Sequence, residues 1–335
     1  MPEIRKDIVS GNWVIIATER AKRPETFTRK VTEKNVKKNG RNCPFCWGNE
    51  KMTPPEVLSI RQNNSGVDEP GWEVRVIPNK FPALEYTDEI ETDKSGIFEF
   101  MTGGGVHEVI IETPHHELSP GELPVEQVKK IIDCYYERYH ELEKDPNLAY
   151  IQIFRNHGRE AGASIEHPHS QLIALPVLPP AVKREMDEAR NYYFEQKECV
   201  YCKMLKEEFS KGERIIAHNE HFAAFIPYAA KLPFETWLLP RNHESSFSEM
   251  SEKERQGLAE ILHTVLAKLW KQLNDPPYNY YLHSAPSRFN PLPDYHWHIE
   301  IIPKLTTAAG FELGAGMFIN IANPEASAEF LRERH

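Results

Sequence analysis

The stretch Glu166-His167-Pro168-His169-Ser170-Gln171, EHPHSQ, is answered later in the chain by His296-Trp297-His298, HWH, and each spaced pair of histidines borders a β-rich run. His167 and His296 are 129 residues apart (296 − 167). A second pair of landmarks, His116 and His243, is 127 apart (243 − 116). Two near-equal offsets point to a duplication. Working outward, the elements recur in the same order. Each half opens on a C-x-x-C pair, CPFC at 43–46 and CVYC at 199–202. WEVRVIP and HEVIIET follow the first pair, and HFAAFIP and FETWLLP follow the second. A long helical segment comes next in each half, then AYIQIF and HPHSQLIALP in one, YNYYLH and HWHIEIIP in the other.

The short runs are rich in β-branched and aromatic residues and bounded by Pro, Gly or Asn, which predicts strands. The segment from Pro124 to about Lys144 opens on a proline, a favourable first helical residue, and the segment from Ser251 to about Leu273 opens on a capping serine. The pattern predicts an α+β class, with antiparallel sheet halves each carrying one main helix. The halves are set at 1–178 and 195–335, joined by LPVLPPAVKREMDEARNYYFEQ.

At 335 residues the chain is long enough for one large or two medium domains. A net charge of −10 with no long basic run argues against nucleic acid as the main partner. The N-terminus lacks the apolar core of a signal peptide, and no apolar run approaches the roughly 18 residues needed to span a membrane. The expectation is a cytoplasmic protein with no membrane partner.

Disulfides are improbable in that compartment, so the paired cysteines read as metal knuckles, with zinc the usual occupant. A redox role is the rival reading. A structural zinc takes four protein ligands. The duplication supplies them in matched sets: Cys43, Cys46, His116 and His167 in one half, Cys199, Cys202, His243 and His296 in the other. His115 is the neighbour that could replace His116. Cys134 lies in an amphipathic helical stretch and reads as core.

With His167 on a metal, His169 is presented on the same face of a strand, two residues along. A neutral imidazole attacks phosphorus without a separate base, and a backbone carbonyl can fix its tautomer. Gln171 shares that face and can donate an amide hydrogen to a phosphoryl oxygen. Upstream, NHGREAGAS (156–164) offers Gly162, Ala163 and Ser164, whose backbone amides and hydroxyl can cradle phosphate oxygens. The plainer reading of His169 is a further metal ligand or a buried, hydrogen-bonded histidine.

The H-x-H-x-Q pattern resembles the histidine triad superfamily. More narrowly, the chain resembles the galactose-1-phosphate uridylyltransferase family through RAKRP (20–24), CPFC, NKFPAL (79–84), AGASIEHPHSQ (161–171), PFETWLLP (233–240) and HWH. The resemblance implies a duplicated histidine-triad-like fold and a homodimer with active sites at the subunit interface. It implies a ping-pong reaction in which His169 takes a uridylyl group from UDP-glucose and passes it to galactose 1-phosphate. It places Arg20, Arg23, Asn79, Asn156, Ser164 and Gln171 on the nucleotide, and Phe311 and Glu312 on a segment contributed by the partner subunit.

Two departures from the family pattern bear on substrate. Ser170 stands where some members carry glycine, and FELGAGMFIN (311–320) lacks a hexose-binding glutamine, with Met317 or Phe318 near that place. The C-terminal pattern and the second C-x-x-C also resemble a branch that moves adenylyl groups between ADP-glucose and phosphate. Some family members hold the second metal, with iron as the alternative to zinc, by a glutamate and three histidines, here Glu185, His283, His296 and His298. Thiolates outcompete carboxylate for zinc, which favours the cysteine set. A non-enzymatic zinc-knuckle interaction protein is the rival from another class.

Overall fold

The computed structural model describes residues 1–17, 27–28, 42–61, 65–87, 89–286, 289 and 291–333. The first half runs β1 (Glu3–Lys6), β2 (Trp13–Ile16), β3 (Leu58–Arg61), β4 (Trp72–Pro78), β5 (Thr92–Ser95), β6 (Phe98–Met101), β7 (Val106–Ile111), α1 (Val125–Leu142), β8 (Tyr150–His157) and β9 (His169–Leu175). Two helices, α2 (Pro180–Gln196) and α3 (Val200–Lys211), lead into β10 (Ile215–His218), β11 (Phe222–Phe225) and β12 (Thr236–Pro240). The chain ends with α4 (Glu252–Leu273), β13 (Tyr278–His283), β14 (His298–Pro303), α5 (Gly310–Ala315), β15 (Phe318–Asn320) and α6 (Pro324–Glu333).

Ten strands form one antiparallel sheet in the order β10-β11-β12-β14-β13-β8-β9-β7-β4-β3. Read from the centre outward, β8-β9-β7-β4-β3 on one side is matched by β13-β14-β12-β11-β10 on the other. The two repeats therefore meet along β8 and β13, with Tyr278 opposite His157 and Tyr281 opposite Phe154. Each half carries the strands and main helix expected of it.

Strand alternation sorts the residues between two faces. Val74, Val76, Ile110, Leu172, Ala174, Leu238, Ile299 and Ile301 join α1 and α4 in one core. Ser251 caps α4: its hydroxyl accepts from the Glu254 amide while the Glu254 carboxylate accepts from the Ser251 amide. On the opposite face the halves differ. In the second half α2 and α3 lay Val182, Met186, Ala189, Val200 and Leu205 over Phe225, Trp237 and Leu239. In the first half, beyond Val9 and Tyr150 at the edge of that cluster, the described residues of this face form a smaller one of Phe45, Trp72, Ile77, Val109 and Ile111.

Three features were not legible in the sequence. The connector folds into α2, and α3 starts at the second cysteine pair. β15 adds in parallel to β2, so the last strand closes a small sheet with the first two. The β5–β6 hairpin stands apart from the main sheet, with Ile97 90% and Phe98 73% exposed.

Candidate active site and metal centres

In β9 Ser170, Leu172 and Ala174 turn toward the helices, which leaves His169 and Gln171 on the other face. There they line a cavity of about 310 Å³ together with Ser164, Asn79, Phe45 and Ile77. The His169 ring is 6% exposed. Its Nδ1 lies 2.8 Å from the His167 carbonyl, so Nδ1 carries the proton and donates, leaving the Nε2 lone pair free. Burial pushes the imidazole below its ordinary pKa, only partly opposed by that hydrogen bond and by Glu112, so the neutral ring is the form present near neutrality. Phe45 of CPFC meets the ring edge-on at 5.4 Å.

Asn156 lies near the end of β8, beside the loop that follows. Asn279 of the second half donates from Nδ2 to Asn156 Oδ1 at 2.7 Å and to the Ala161 carbonyl at 2.8 Å. This turns the Asn156 amide nitrogen toward Gly162, whose φ of +92° ends a short 3₁₀ turn. Ser164 lines the cavity with His169, while Asn156 near the end of β8 and Gly162 and Ala163 of the following loop are not among its lining residues, and the Gly162 and Ala163 N–H groups, expected to meet phosphate, donate to the Arg159 and Gly158 carbonyls instead.

Four donors of the first half converge: Cys43, Cys46, His116 and His167 lie with ligand atoms within 4.8 Å of one another. Cys46 Sγ is 3.3 Å from His116 Nδ1 and 3.5 Å from His167 Nδ1, and the two Nδ1 atoms are 3.3 Å apart. His167 Nε2 donates to the Thr113 carbonyl at 2.7 Å, which leaves Nδ1 as a lone pair aimed into the group. Burial, with His116 and His169 nearby, lowers the His167 pKa to about 4. His115 is exposed and outside the group.

The second half repeats this arrangement. Cys202 Sγ is 3.4 Å from His243 Nδ1 and 3.7 Å from His296 Nδ1, with Cys199 completing the set. His243 Nε2 and His296 Nε2 donate to the carbonyls of Leu292 and Pro240. Cys199 caps the start of α3, but the preceding element is helix α2, not the strand a redox pair would follow, and two imidazoles close on the thiols.

The glutamate–histidine set forms differently from the sequence expectation. Glu185, His283 and His298 come together, but His296 has gone to the cysteines and Glu300 takes its place. Donor separations here are uneven. His283 Nδ1 is 2.9 Å from Glu185 Oε2, while His298 Nε2 is 3.9 Å from that oxygen and 3.6 Å from Glu300 Oε1. Burial opposes ionisation of Glu300, yet Lys231 and the two histidines hold its pKa below the usual carboxylate range.

Arg20 and Arg23 lie outside the described residues. Phe311 and Glu312 lie on α5 and do not line the His169 cavity of their own chain; Glu312 accepts from the Ala309 amide instead. Ser170, fully buried, accepts a hydrogen bond from the Tyr135 hydroxyl on the helix face and does not reach the cavity. Sequence reasoning missed Asn279, Glu300 and His107. Each sits in an alternating strand pattern, where a polar residue on the inward-facing parity was the available signal.

Comparison with known proteins agrees with this layout. Residues 1–179 match the galactose-1-phosphate uridyl transferase N-terminal domain and residues 185–319 its C-terminal domain. An ADP-glucose phosphorylase of Arabidopsis thaliana is 37% identical over 99% of this chain and 93% of its own length. A galactose-1-phosphate uridylyltransferase of Thermotoga maritima is 30% identical over 99% of this chain and 98% of its own. The crystal structure of an ADP-glucose phosphorylase from Arabidopsis thaliana with bound ADP-glucose superposes with a TM-score of 0.83 at 34% identity, covering 100% of this chain and 99% of that one. Matched along both halves, the chain belongs to the galactose-1-phosphate uridyl transferase family.

Proposed function

We propose that the chain is a nucleotidyltransferase working through a covalent nucleotidyl-His169 intermediate, with UDP-glucose as donor and galactose 1-phosphate as acceptor. One observation carries the reading: His169, its Nδ1 tied to the His167 carbonyl, turns a free Nε2 toward a cavity that also holds Gln171, Ser164 and Asn79. Nε2 attacks the α-phosphorus. The N–P bond forms as the bridging P–O bond breaks, and the sugar 1-phosphate leaves with that oxygen and its electron pair. A phosphate oxygen of the acceptor then attacks the same phosphorus and displaces Nε2. Ser164 and the Asn156 side-chain nitrogen cradle phosphate oxygens, and Asn79 contacts the nucleotide; the Gly162 and Ala163 N–H groups already donate to the Arg159 and Gly158 carbonyls and shape the loop instead. Arg20 and Arg23 serve as its cationic contacts. Phe311 and Glu312 act on the site of the partner subunit in a homodimer, a role supported by their place on exposed α5. The two halves are taken as 1–178 and 195–335.

A second reading, ADP-glucose as donor and phosphate as acceptor, is favoured by the 37% identity to the Arabidopsis phosphorylase, against 30% to the Thermotoga uridylyltransferase. The deciding experiment is initial rates with UDP-glucose and ADP-glucose, each offered galactose 1-phosphate or phosphate. Fastest turnover of UDP-glucose with galactose 1-phosphate is expected. Fastest turnover of ADP-glucose with phosphate replaces that reading with the second. No turnover in any arm leaves a zinc-knuckle interaction protein.

Both Cys₂His₂ sets fit zinc. Bonds of about 2.3 Å to sulfur and 2.0–2.1 Å to nitrogen at tetrahedral angles give S···N edges of about 3.6 Å and N···N edges of about 3.3 Å. The observed separations of 3.3–3.7 Å match. Zinc bound there is structural, fixing loops and, through His167, the approach to β9. Cys43→Ser is expected to lower metal content from about two to about one zinc per chain. It should also lower the melting temperature, since His167 adjoins β9. Three metal equivalents in wild type would add the Glu185 cluster to the metal sites; unchanged zinc in the variant would remove Cys43 from them. Five free cysteines support a reducing, cytoplasmic setting, and no described helix is long and apolar enough to cross a membrane.

Gln171 is the donor to the phosphoryl group in flight. Gln171→His is expected to slow sugar-phosphate transfer by roughly 10²–10³-fold, as for removal of an oxyanion donor, and to shorten the life of the intermediate in water. Histidine can exchange a proton with water or a leaving group, and glutamine cannot. Single-turnover decay of the labelled intermediate checks this. Equal lifetimes with unimpaired transfer would leave Gln171 a structural residue.

A further inference from the structure

We infer that His107 is a positioning residue that sets which end of the Gln171 amide faces the phosphoryl group. His107 lies on β7 between Gln171 of β9 and Asn79, which follows β4, with the Asn79 amide donating to the His107 carbonyl at 2.8 Å. Its ring is held from both sides. The Ala83 backbone N–H points at Nδ1 at 3.0 Å, and Nε2 lies 2.9 Å from Gln171 Oε1. A backbone N–H can only donate, so Nδ1 accepts and the neutral ring carries its proton on Nε2. Among the described residues that proton has one acceptor in reach. Asn79 presents its nitrogen, 3.1 Å from Nε2, because its Oδ1 is already taken by the Phe81 backbone N–H at 2.9 Å. Gln171 must therefore turn Oε1 to His107. Its NH₂ is left for the cavity that it lines with His169.

The alternative amide orientation leaves the Nε2 proton facing the amide nitrogens of both Gln171 and Asn79, with no acceptor among the described residues, and offers an oxygen to an anionic phosphoryl group. Both effects oppose catalysis. The chain thus runs from a backbone amide through an imidazole to the amide that meets charge in the transition state. The inference rests on the nucleotidyl-transfer reading of Gln171 given above.

The test is single-turnover labelling of the protein by α-phosphate-labelled UDP-glucose, with α-labelled ADP-glucose in parallel. His107→Asn keeps an acceptor for the Ala83 N–H but is too short to donate to Gln171. It should lower the labelling rate roughly tenfold while shifting donor half-saturation by less than about twofold. His107→Gln, whose amide reaches about the Nε2 position, should recover most of the rate. In a Gln171→Ala background His107→Asn should cost less than about twofold, because the group it orients is gone. Full rate in His107→Asn, or the same tenfold loss in the Gln171→Ala background, overturns the inference and leaves His107 a packing residue. A wild-type rate in Gln171→Ala overturns the Gln171 reading instead. Failure of wild-type protein to take label from either donor overturns nucleotidyl transfer, and the role of His107 with it.

Discussion

His169→Gly is expected to lower turnover by at least about 10⁴-fold while leaving the fold and both metal sets in place. The loss is large because no other described imidazole near the cavity can replace the nucleophile: His107 is held between Ala83 and Gln171, and His167 turns its free nitrogen to the cysteines. The fold survives because His169 stands at the first position of β9 and its one side-chain hydrogen bond among the described residues is local, to the carbonyl two residues back. Glycine there costs about 1 kcal/mol in strand propensity, within the margin of a folded chain of this size. The gap beside Phe45 has the shape of an imidazole, so free imidazole should restore part of the attack on phosphorus. Rates, metal content and circular dichroism of the variant decide the matter. Double-displacement turnover surviving in His169→Gly would remove the nucleophile assignment outright.

The duplication raises the question why one chain has one such site. By the offset of 129 that relates His167 to His296, His298 stands in the place of His169 and Glu300 in that of Gln171. The local geometry is kept: His298 Nδ1 donates to the His296 carbonyl at 3.1 Å, as His169 does to His167. The surroundings are not. Helices α2 and α3 cover that face, Trp237 stacks on the His298 ring at 5.0 Å, and a carboxylate replaces the amide. A buried carboxylate beside a phosphoryl group is repulsive where an amide is attractive. The second half has kept the scaffold and closed its cavity.

This divergence marks the limit of what the chain discloses as a string. Periodicity and the two offsets were enough for the order of elements along each half, though not for the order of strands across the sheet, because alternation marks a half-buried strand without naming its neighbour. They also brought His116 and His243 to their cysteine pairs. They did not show that the connector would fold over one half only, since α2 is a weakly patterned helix whose apolar residues could have faced either way. The offset of 129 matched His296 to the second cysteine pair, while the resemblance left the Glu185 set open to it as well. Adjacent-but-one positions share a strand face, and only the rotation of the chain just before β14 turns His296 to Cys202 and leaves His298 with Glu185. His107 was hidden for a similar reason: its importance lies in a cross-strand contact with no sequence spacing to announce it.

Glu112→Ala should be the most damaging single change to the fold. Glu112 is completely buried and Arg155 is 1% exposed, with Arg155 Nε 3.0 Å from both carboxylate oxygens. Arg155 also donates to the Tyr278 hydroxyl at 2.7 Å, and the Tyr135 hydroxyl bridges Ser170 and Tyr280. The network ties β8 and β9 to α1 and to β13 of the other half, directly behind the strand that presents His169. Removing Glu112 leaves a guanidinium buried with one neutral partner. Breaking such a pair from one side costs about 3–5 kcal/mol, far more than the pair is worth against an apolar replacement. For a chain this long that corresponds to a fall in melting temperature of about 4–7 °C. Glu112→Gln keeps an acceptor and should lose less. Glu112→Leu combined with Arg155→Met removes both charges and should regain much of the loss, which separates an uncompensated charge from simple loss of packing. A Glu112→Ala protein melting within 1 °C of wild type would show that water reaches Arg155 and that the network is not what joins the two halves behind the nucleophile.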